Sequence, residues 1–98
     1  MDRYVLAPEA LDDLQNIWEF IAADNPDAAS RLQEEFFDAF EALATRPGKG
    51  HTREDLTDQP VRFLALRSYL IVYRANPAPI QIVAVLHGAR DIPSVLKR

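Results

Sequence analysis

The chain has no cysteine, one tryptophan, three glycines and only two lysines, Lys49 and Lys97. Without cysteine, disulfides and thiolate metal sites are excluded, and a reducing cytoplasm suits the composition. No apolar run approaches the roughly 18 residues of a membrane-spanning helix. Met1-Asp2-Arg3-Tyr4 opens the chain without a basic leader and apolar segment, so a cytoplasmic protein is expected. What is present fits one compact unit. A chain of 98 residues with 48% hydrophobic content is expected to bury roughly 60 to 68% of its unfolded surface, enough for a single core without staples. One domain spanning residues 1–98 is expected.

The net charge of -4 conceals an uneven distribution. Residues 1–48 carry 3 basic and 11 acidic side chains (3 - 11 = -8), whereas residues 49–98 carry 8 basic and 4 acidic ones (8 - 4 = +4). Such a molecule presents two electrical faces, and the basic half can attract phosphates or an acidic protein surface despite the negative total. Solvated helices in front of a sheet would give the same asymmetry without any functional meaning.

Arg3-Tyr4-Val5-Leu6 is a short β-prone run ended by Ala7-Pro8, where proline suits the first turn of a helix. From Pro8 to about Ala23, Leu11, Leu14, Trp18 and Ile21 recur at helical spacing, with Glu9, Asp12 and Asp13 near the positive end of the helix dipole. Asn25-Pro26 supplies an N-cap and a first-position proline for a second helix. Its stripe runs through Ala29, Leu32, Phe36, Phe40 and Leu43 until Pro47-Gly48 stops it. The short break at Asp24-Asn25 makes the pair an antiparallel hairpin.

Arg46 to Pro60 lacks apolar periodicity and reads as a loop. Strands are then predicted over Arg62–Leu66, Tyr69–Arg74 and Ile80–Leu86, the first pair joined at Arg67-Ser68 without the glycine or asparagine that a tight turn prefers. In the last strand Ile80, Ile82, Ala84 and Leu86 are expected on one face and Gln81, Val83, Val85 and His87 on the other. A short helical turn from Asp91-Ile92-Pro93 to Leu96 would close the chain. The predicted class is α+β in the order β-α-α-β-β-β, with the hairpin packed on one face of a mostly antiparallel sheet.

Several chemical motifs fail on spacing. Asp24 and Glu35 stand at the ends of a would-be calcium loop, but Pro26 and Ala29 replace an acidic ligand and the required glycine. Gly48-Lys49-Gly50 lacks the upstream glycine and following hydroxyl of a phosphate loop and is assigned to a turn. His51 and His87 have no metal-ligand spacing, so neither a metal nor a cofactor is expected. Trp18, Phe36 and Phe40 are assigned to the core, and Trp18→Ala is expected to cost about 3 to 5 kcal/mol. Ile17, Phe20 and Phe37 lie off the main stripes, an apolar set that invites a partner's amphipathic helix.

His87, flanked in sequence by Gly88 and Arg90, has the composition to move a proton while cations stabilise a phosphate transition state. The competing reading makes it a histidine bonded to nearby backbone, with arginines paired to Asp55, Asp58 or Asp91. Gly88 is expected to permit an unusual backbone angle at the strand's end.

These segments together resemble a known family. The element order, with Ala7-Pro8-Glu9-Ala10 before a helix bearing Ile17-Trp18, then Asn25-Pro26-Asp27-Ala28-Ala29, Arg46-Pro47-Gly48-Lys49-Gly50 and Ser68-Tyr69-Leu70-Ile71-Val72-Tyr73-Arg74, resembles the RelE/ParE superfamily of type II toxins. The ending Leu86-His87-Gly88-Ala89-Arg90-Asp91 is similar to the ParE branch. The resemblance implies a toxin neutralised by a co-expressed antitoxin, ParD-like and of ribbon-helix-helix type. ParE-like members are taken to poison DNA gyrase by protein contact, with no catalytic residues of their own. RelE-like members cut messenger RNA in the ribosomal A site, commonly with a tyrosine or histidine near the C-terminus.

This chain has no tyrosine after His87, few lysines and an acidic first half, which disfavours a phosphate-rich A site. Gyrase is therefore the expected target, contacted through Arg67, Arg74, His87 and Arg90, with the antitoxin on Ile17, Phe20 and Phe37. An endoribonuclease using His87 and Arg90 is the alternative, and an interaction module without toxicity, bound only by its antitoxin, is a second. Neither membrane association nor sequence-specific DNA binding by the toxin alone is expected.

Overall fold

The structure, a computed structural model, describes residues 3–88 and 92–96. Its elements follow the expected order: β1 (Tyr4–Leu6), α1 (Pro8–Ala22), α2 (Pro26–Thr45), β2 (Arg62–Leu66), β3 (Tyr69–Arg74), β4 (Ile80–His87) and a short α3 (Ile92–Val95). The boundaries have local causes. Pro8 occupies the first position of α1, and Asn25 caps α2 by accepting the Ala28 N–H at 3.0 Å, with Pro26 behind it. Proline lacks the N–H that would be unpaired there, and its fixed φ suits the first turn.

The sheet order is β1-β4-β3-β2. β3 pairs antiparallel with both β2 and β4, and β1 lies parallel to β4, so the sheet is mixed with one parallel edge. At the β2–β3 turn Arg67 takes a positive φ of 54°, the backbone state usually left to glycine or asparagine. Gly88, past the end of β4, has φ 80°, as expected from its place in the sequence.

The α1–α2 hairpin covers one face of the sheet. Ala10, Leu14, Leu32, Phe36, Phe40 and Leu43 pack there on Ile71, Tyr73, Ile80, Ile82 and Val85. A second cluster fills the other face, where Val61, Phe63, Val72, Ala84 and Ile92 are buried and Leu56 and Leu96 close over them. The 51–60 loop and α3 thus act as a lid on the sheet.

Two expectations need correction. Trp18 is not core: it is 37% exposed, and Leu11 is 51% exposed. The buried stripe of α1 runs through Ala10 and Leu14, with Ile17 and Ile21 packed against the core. These positions are spaced four, three and four, which follows the 3.6-residue period closely. Leu11 and Trp18 sit roughly 70 to 90° around the helix from the centre of that stripe.

The alternation in β4 also fails midway. Val72 pairs with Ala84 and Tyr73 with Ile82, leaving Val83 as an extra residue in a bulge. Beyond it the faces exchange, so Val85 joins Ile80 and Ile82 on the hairpin side while Ala84 and Leu86 join the opposite cluster. An inserted residue reverses every later side chain because the strand period is two.

The loop after α2 is pinned from below. The Tyr73 hydroxyl, on a fully buried ring, donates to the Pro47 carbonyl at 2.7 Å and accepts the Gly50 N–H at 2.9 Å. The Arg62 guanidinium donates to the carbonyls of Gly48 and Gly50. Any Cβ at Gly50 would lie 2.5 Å from the Tyr73 oxygen and 2.8 Å from the Phe63 carbonyl, so glycine is required by close approach. Gly48-Lys49-Gly50 belongs to this turn, Pro47–Lys49 forming a single 3-10 turn that ends at Gly50.

Candidate functional site

The β2–β3 turn and the end of β4 bring Arg67, Tyr69 and His87 to one end of the sheet, on the hairpin side. Tyr69 and His87 are cross-strand partners, their ring centroids 5.1 Å apart in an edge-on contact. The other side of Tyr69 meets Phe36 of α2 at 5.5 Å. The Gly88 N–H donates to the Ser68 carbonyl at 3.0 Å, tying the end of β4 to the turn. His87 is exposed, and its exchange of face through the Val83 bulge is what sets it beside Tyr69.

Arg67 is already engaged. Its guanidinium makes a two-pronged bond to the Glu35 carboxylate, Nε to Oε1 at 2.8 Å and Nη2 to Oε2 at 2.7 Å. The bond to Arg67 holds the Glu35 carboxyl below its ordinary range, against partial desolvation, with attraction to Arg67 and Arg31 adding to the effect. The pairing raises Arg67 in turn. A cleft of about 290 Å³ lies here between Ile21, Ala28, Arg31, Leu32, Glu35, Arg67, Ser68 and Tyr69.

Arg74 stands apart from this group. It lies five residues from Tyr69 along β3, roughly 17 Å at strand rise, on the opposite face. There it donates to the Gln59 side chain at 3.1 Å. Arg90 lies outside the described residues. Of the candidate target contacts, the structure therefore joins Arg67 and His87 and separates Arg74. Of the carboxylates expected to pair with these arginines, Asp55 instead meets Arg53, and Asp91 lies outside the described residues. Glu35, the partner of Arg67, carried no signal in the sequence because the pair spans 32 positions.

The sequence also gave no hint of Asp13. β1 ends at Leu6, and among the described residues no strand pairs with the part of β4 beyond Ile82 on that side. The Asp13 carboxylate from α1 fills the gap by accepting the Val85 N–H at 3.0 Å. Among the described residues, no group of three or more His, Cys, Asp or Glu side chains is placed to hold a metal ion.

The hairpin's outer surface is the other candidate. Phe20 is 83% exposed, whereas Ile17 and Phe37 are half-buried against the core, Phe37 meeting Phe40 edge-on at 5.6 Å. Between the helices runs a cleft of about 570 Å³ lined by Leu11, Leu14, Gln15, Trp18, Glu19, Gln33 and Phe37. It continues along Ser30, Glu34 and Asp38. Phe37 shares this cleft with Trp18, while Phe20 does not line it. No described helix is long and apolar enough to cross a membrane.

Comparison with known proteins agrees with this architecture. The provisionally assigned toxin Y4kP of Sinorhizobium fredii (strain NBRC 101917 / NGR234) is 33% identical over 89% of this chain and 88% of its own length. A solved structure titled as the chromosomal ParDE TA system from P. aeruginosa matches with a TM-score of 0.71, covering 87% of this chain and 94% of that one. At 20% sequence identity, that likeness speaks for the fold alone. The family model described as the ParE toxin of the type II toxin-antitoxin system parDE matches residues 4–92, nearly the whole chain. The chain belongs to the ParE toxin family of type II toxin–antitoxin systems.

Proposed function

We propose that this ParE-family toxin inhibits DNA gyrase by protein contact and is neutralised by a co-expressed ParD-like antitoxin of the ribbon-helix-helix type. The observation that carries the choice of target is the state of the basic end of the sheet. Arg67 is paired with Glu35, so of the two arginines lining the cleft one is offset by a carboxylate and only Arg31 is left to face a phosphate backbone. The hairpin beside it is strongly acidic, which a protein target tolerates more readily than a nucleic acid does. The proposed target contacts are Arg67 and His87 at this end of the sheet, Arg74 as an outlying contact, and Arg90, which lies outside the described residues. The antitoxin covers the hairpin, including Ile17, Phe20 and Phe37.

A ribosome-dependent endoribonuclease is the second reading, and the exposed His87 ring seated on Tyr69 is what favours it. Two assays with purified toxin separate the readings, one following gyrase supercoiling and cleavage-complex formation, the other messenger RNA cleavage on programmed ribosomes. Loss of supercoiling with stabilised cleavage complexes is expected. Codon-dependent cuts abolished by His87→Ala would overturn the choice. Inactivity in both assays would leave a module whose only partner is its antitoxin.

A further inference from the structure

The cleft beside Arg67 holds a guanidinium that is bonded along one edge only. Glu35 takes its Nε and Nη2 side at 2.8 and 2.7 Å, and among the described residues Nη1 has no partner. The Arg67 side chain is 63% exposed and that of Glu35 36%, so the open end of the fork is within reach of a ligand. Arg31 lies one helical turn before Glu35 on α2 and lines the same cleft, where its attraction helps to lower the Glu35 carboxyl. Ile21, Leu32 and the Tyr69 ring give the space apolar walls. Two arginines and one carboxylate leave its lining with one net positive charge (2 - 1 = +1). At about 290 Å³ it suits a single side chain.

We propose that this cleft binds one carboxylate, an aspartate or glutamate side chain of the target protein, on the open edge of Arg67 and on Arg31, and that Glu35 makes it selective for a single negative charge. The inference rests on the gyrase reading for its partner and supplies the chemistry of that contact. A planar carboxylate matches two parallel N–H groups of a guanidinium, the mode that Glu35 already uses on the other edge. Its methylenes pack on Ile21 and Leu32, a contact that a bare phosphate lacks. One entering carboxylate brings the lining from +1 to zero. A second negative charge would find no cation, would lie beside Glu35, and would face the hairpin, with 11 acidic and 3 basic residues in positions 1–48. The same sum disfavours a phosphate backbone, whose charge repeats. Glu35 is thus the specificity-determining residue, and Arg67 and Arg31 are the binding ones.

The full-length toxin is titrated with sodium acetate and, separately, with inorganic phosphate at a pH where phosphate is mainly a dianion, sodium chloride holding the ionic strength constant. The Arg67 Nε–H resonance, identified by its loss in Arg67→Gln, is followed by NMR. Acetate is expected to shift it saturably, with a midpoint at least about tenfold below that of phosphate. Glu35→Gln, which raises the lining to +2, should bring the phosphate midpoint to or below that of acetate, with unchanged circular dichroism. Arg31→Gln should weaken acetate at least about tenfold. In the gyrase supercoiling assay, Arg67→Gln and Arg31→Gln should each lower inhibition by at least about tenfold, and Arg67→Lys, which keeps the charge and loses the fork, should not restore it. No saturable shift at Arg67, or one shared by every arginine, would overturn the site. Phosphate binding more tightly than acetate in the unaltered chain would assign the cleft to a phosphate backbone and refute the proposal, and so would an unchanged preference in Glu35→Gln. Saturable acetate binding without gyrase inhibition by the unaltered chain would overturn the target reading and leave the carboxylate site standing.

Discussion

Replacing Tyr73 with phenylalanine tests how the loop after α2 is held. The ring is fully buried and Tyr73→Phe keeps it, so no sizeable cavity forms and the change isolates one oxygen. That oxygen donates to the Pro47 carbonyl and accepts the Gly50 N–H. Each hydrogen bond contributes about 1 kcal/mol net, and a buried N–H left without an acceptor costs about 1 to 3 kcal/mol. The Gly50 N–H is the more exacting of the two, because Gly50 is buried and closely overlaid by Tyr73 and Phe63, leaving little room for a replacing water. A loss of about 2 to 3 kcal/mol is expected. A domain of 98 residues has a total stability of about 5 to 15 kcal/mol. Its melting temperature should fall by roughly 10 to 20 °C, at about 4 to 8 °C per kcal/mol. Urea unfolding followed by circular dichroism measures the loss, and amide exchange at Gly50 localises it. A change below about 0.5 kcal/mol, with Gly50 exchange unaltered, would refute the pin and leave Arg62 to hold the turn alone.

Three further substitutions probe separate links. Trp18→Ala should cost only about 1 to 2 kcal/mol, less than the 3 to 5 typical of a buried aromatic; urea unfolding showing the full core value would mean that Trp18 is buried in solution. Asp13→Ala removes the acceptor of the Val85 N–H on the open stretch of β4 and should cost about 1 to 2 kcal/mol, with Asp13→Asn milder; hydrogen exchange at Val85 should quicken in the alanine variant and would sink the idea by staying slow. The Glu35 carboxyl is lowered in the folded state, so the stability it contributes is present above its unfolded value near 4.5 and is lost as pH falls through the folded value. Arg67→Ala should therefore raise the Glu35 midpoint seen by NMR and remove that part of the acid sensitivity, and an unmoved midpoint would show that the bridge does not persist in solution.

Much of the fold was legible because its punctuation is local. Ala7-Pro8, Asn25-Pro26 and Pro47 end or begin helices through the missing N–H and fixed φ of proline, effects confined to one turn. The strand limits at Arg62, Leu66, Tyr69, Arg74 and Ile80 followed from alternation and turn residues in the same way. Trp18 was misplaced because Leu11-Leu14-Trp18-Ile21 and Ala10-Leu14-Ile17-Ile21 both satisfy helical spacing. Size favours the first stripe in the sequence, but close packing of α1 on β4 favours the one that begins with the small Ala10.

The candidate site was legible only in its parts. His87 and Arg67 could be singled out as unusual residues at strand ends, and the joint order of the motifs pointed to the ParE family that the comparisons establish. The sequence by itself determined the element order, the helix caps, the hairpin and the electrical asymmetry, since each depends on residues within a few positions or on a simple count. Tertiary structure alone decided that β1 lies parallel beside β4, that the Val83 bulge swings His87 onto Tyr69, and that Glu35 rather than solvent meets Arg67. It also decided that Trp18 faces outward into an acidic cleft. These outcomes join residues tens of positions apart, and side chains so distant meet only after the chain has packed, through a geometry that no local propensity encodes.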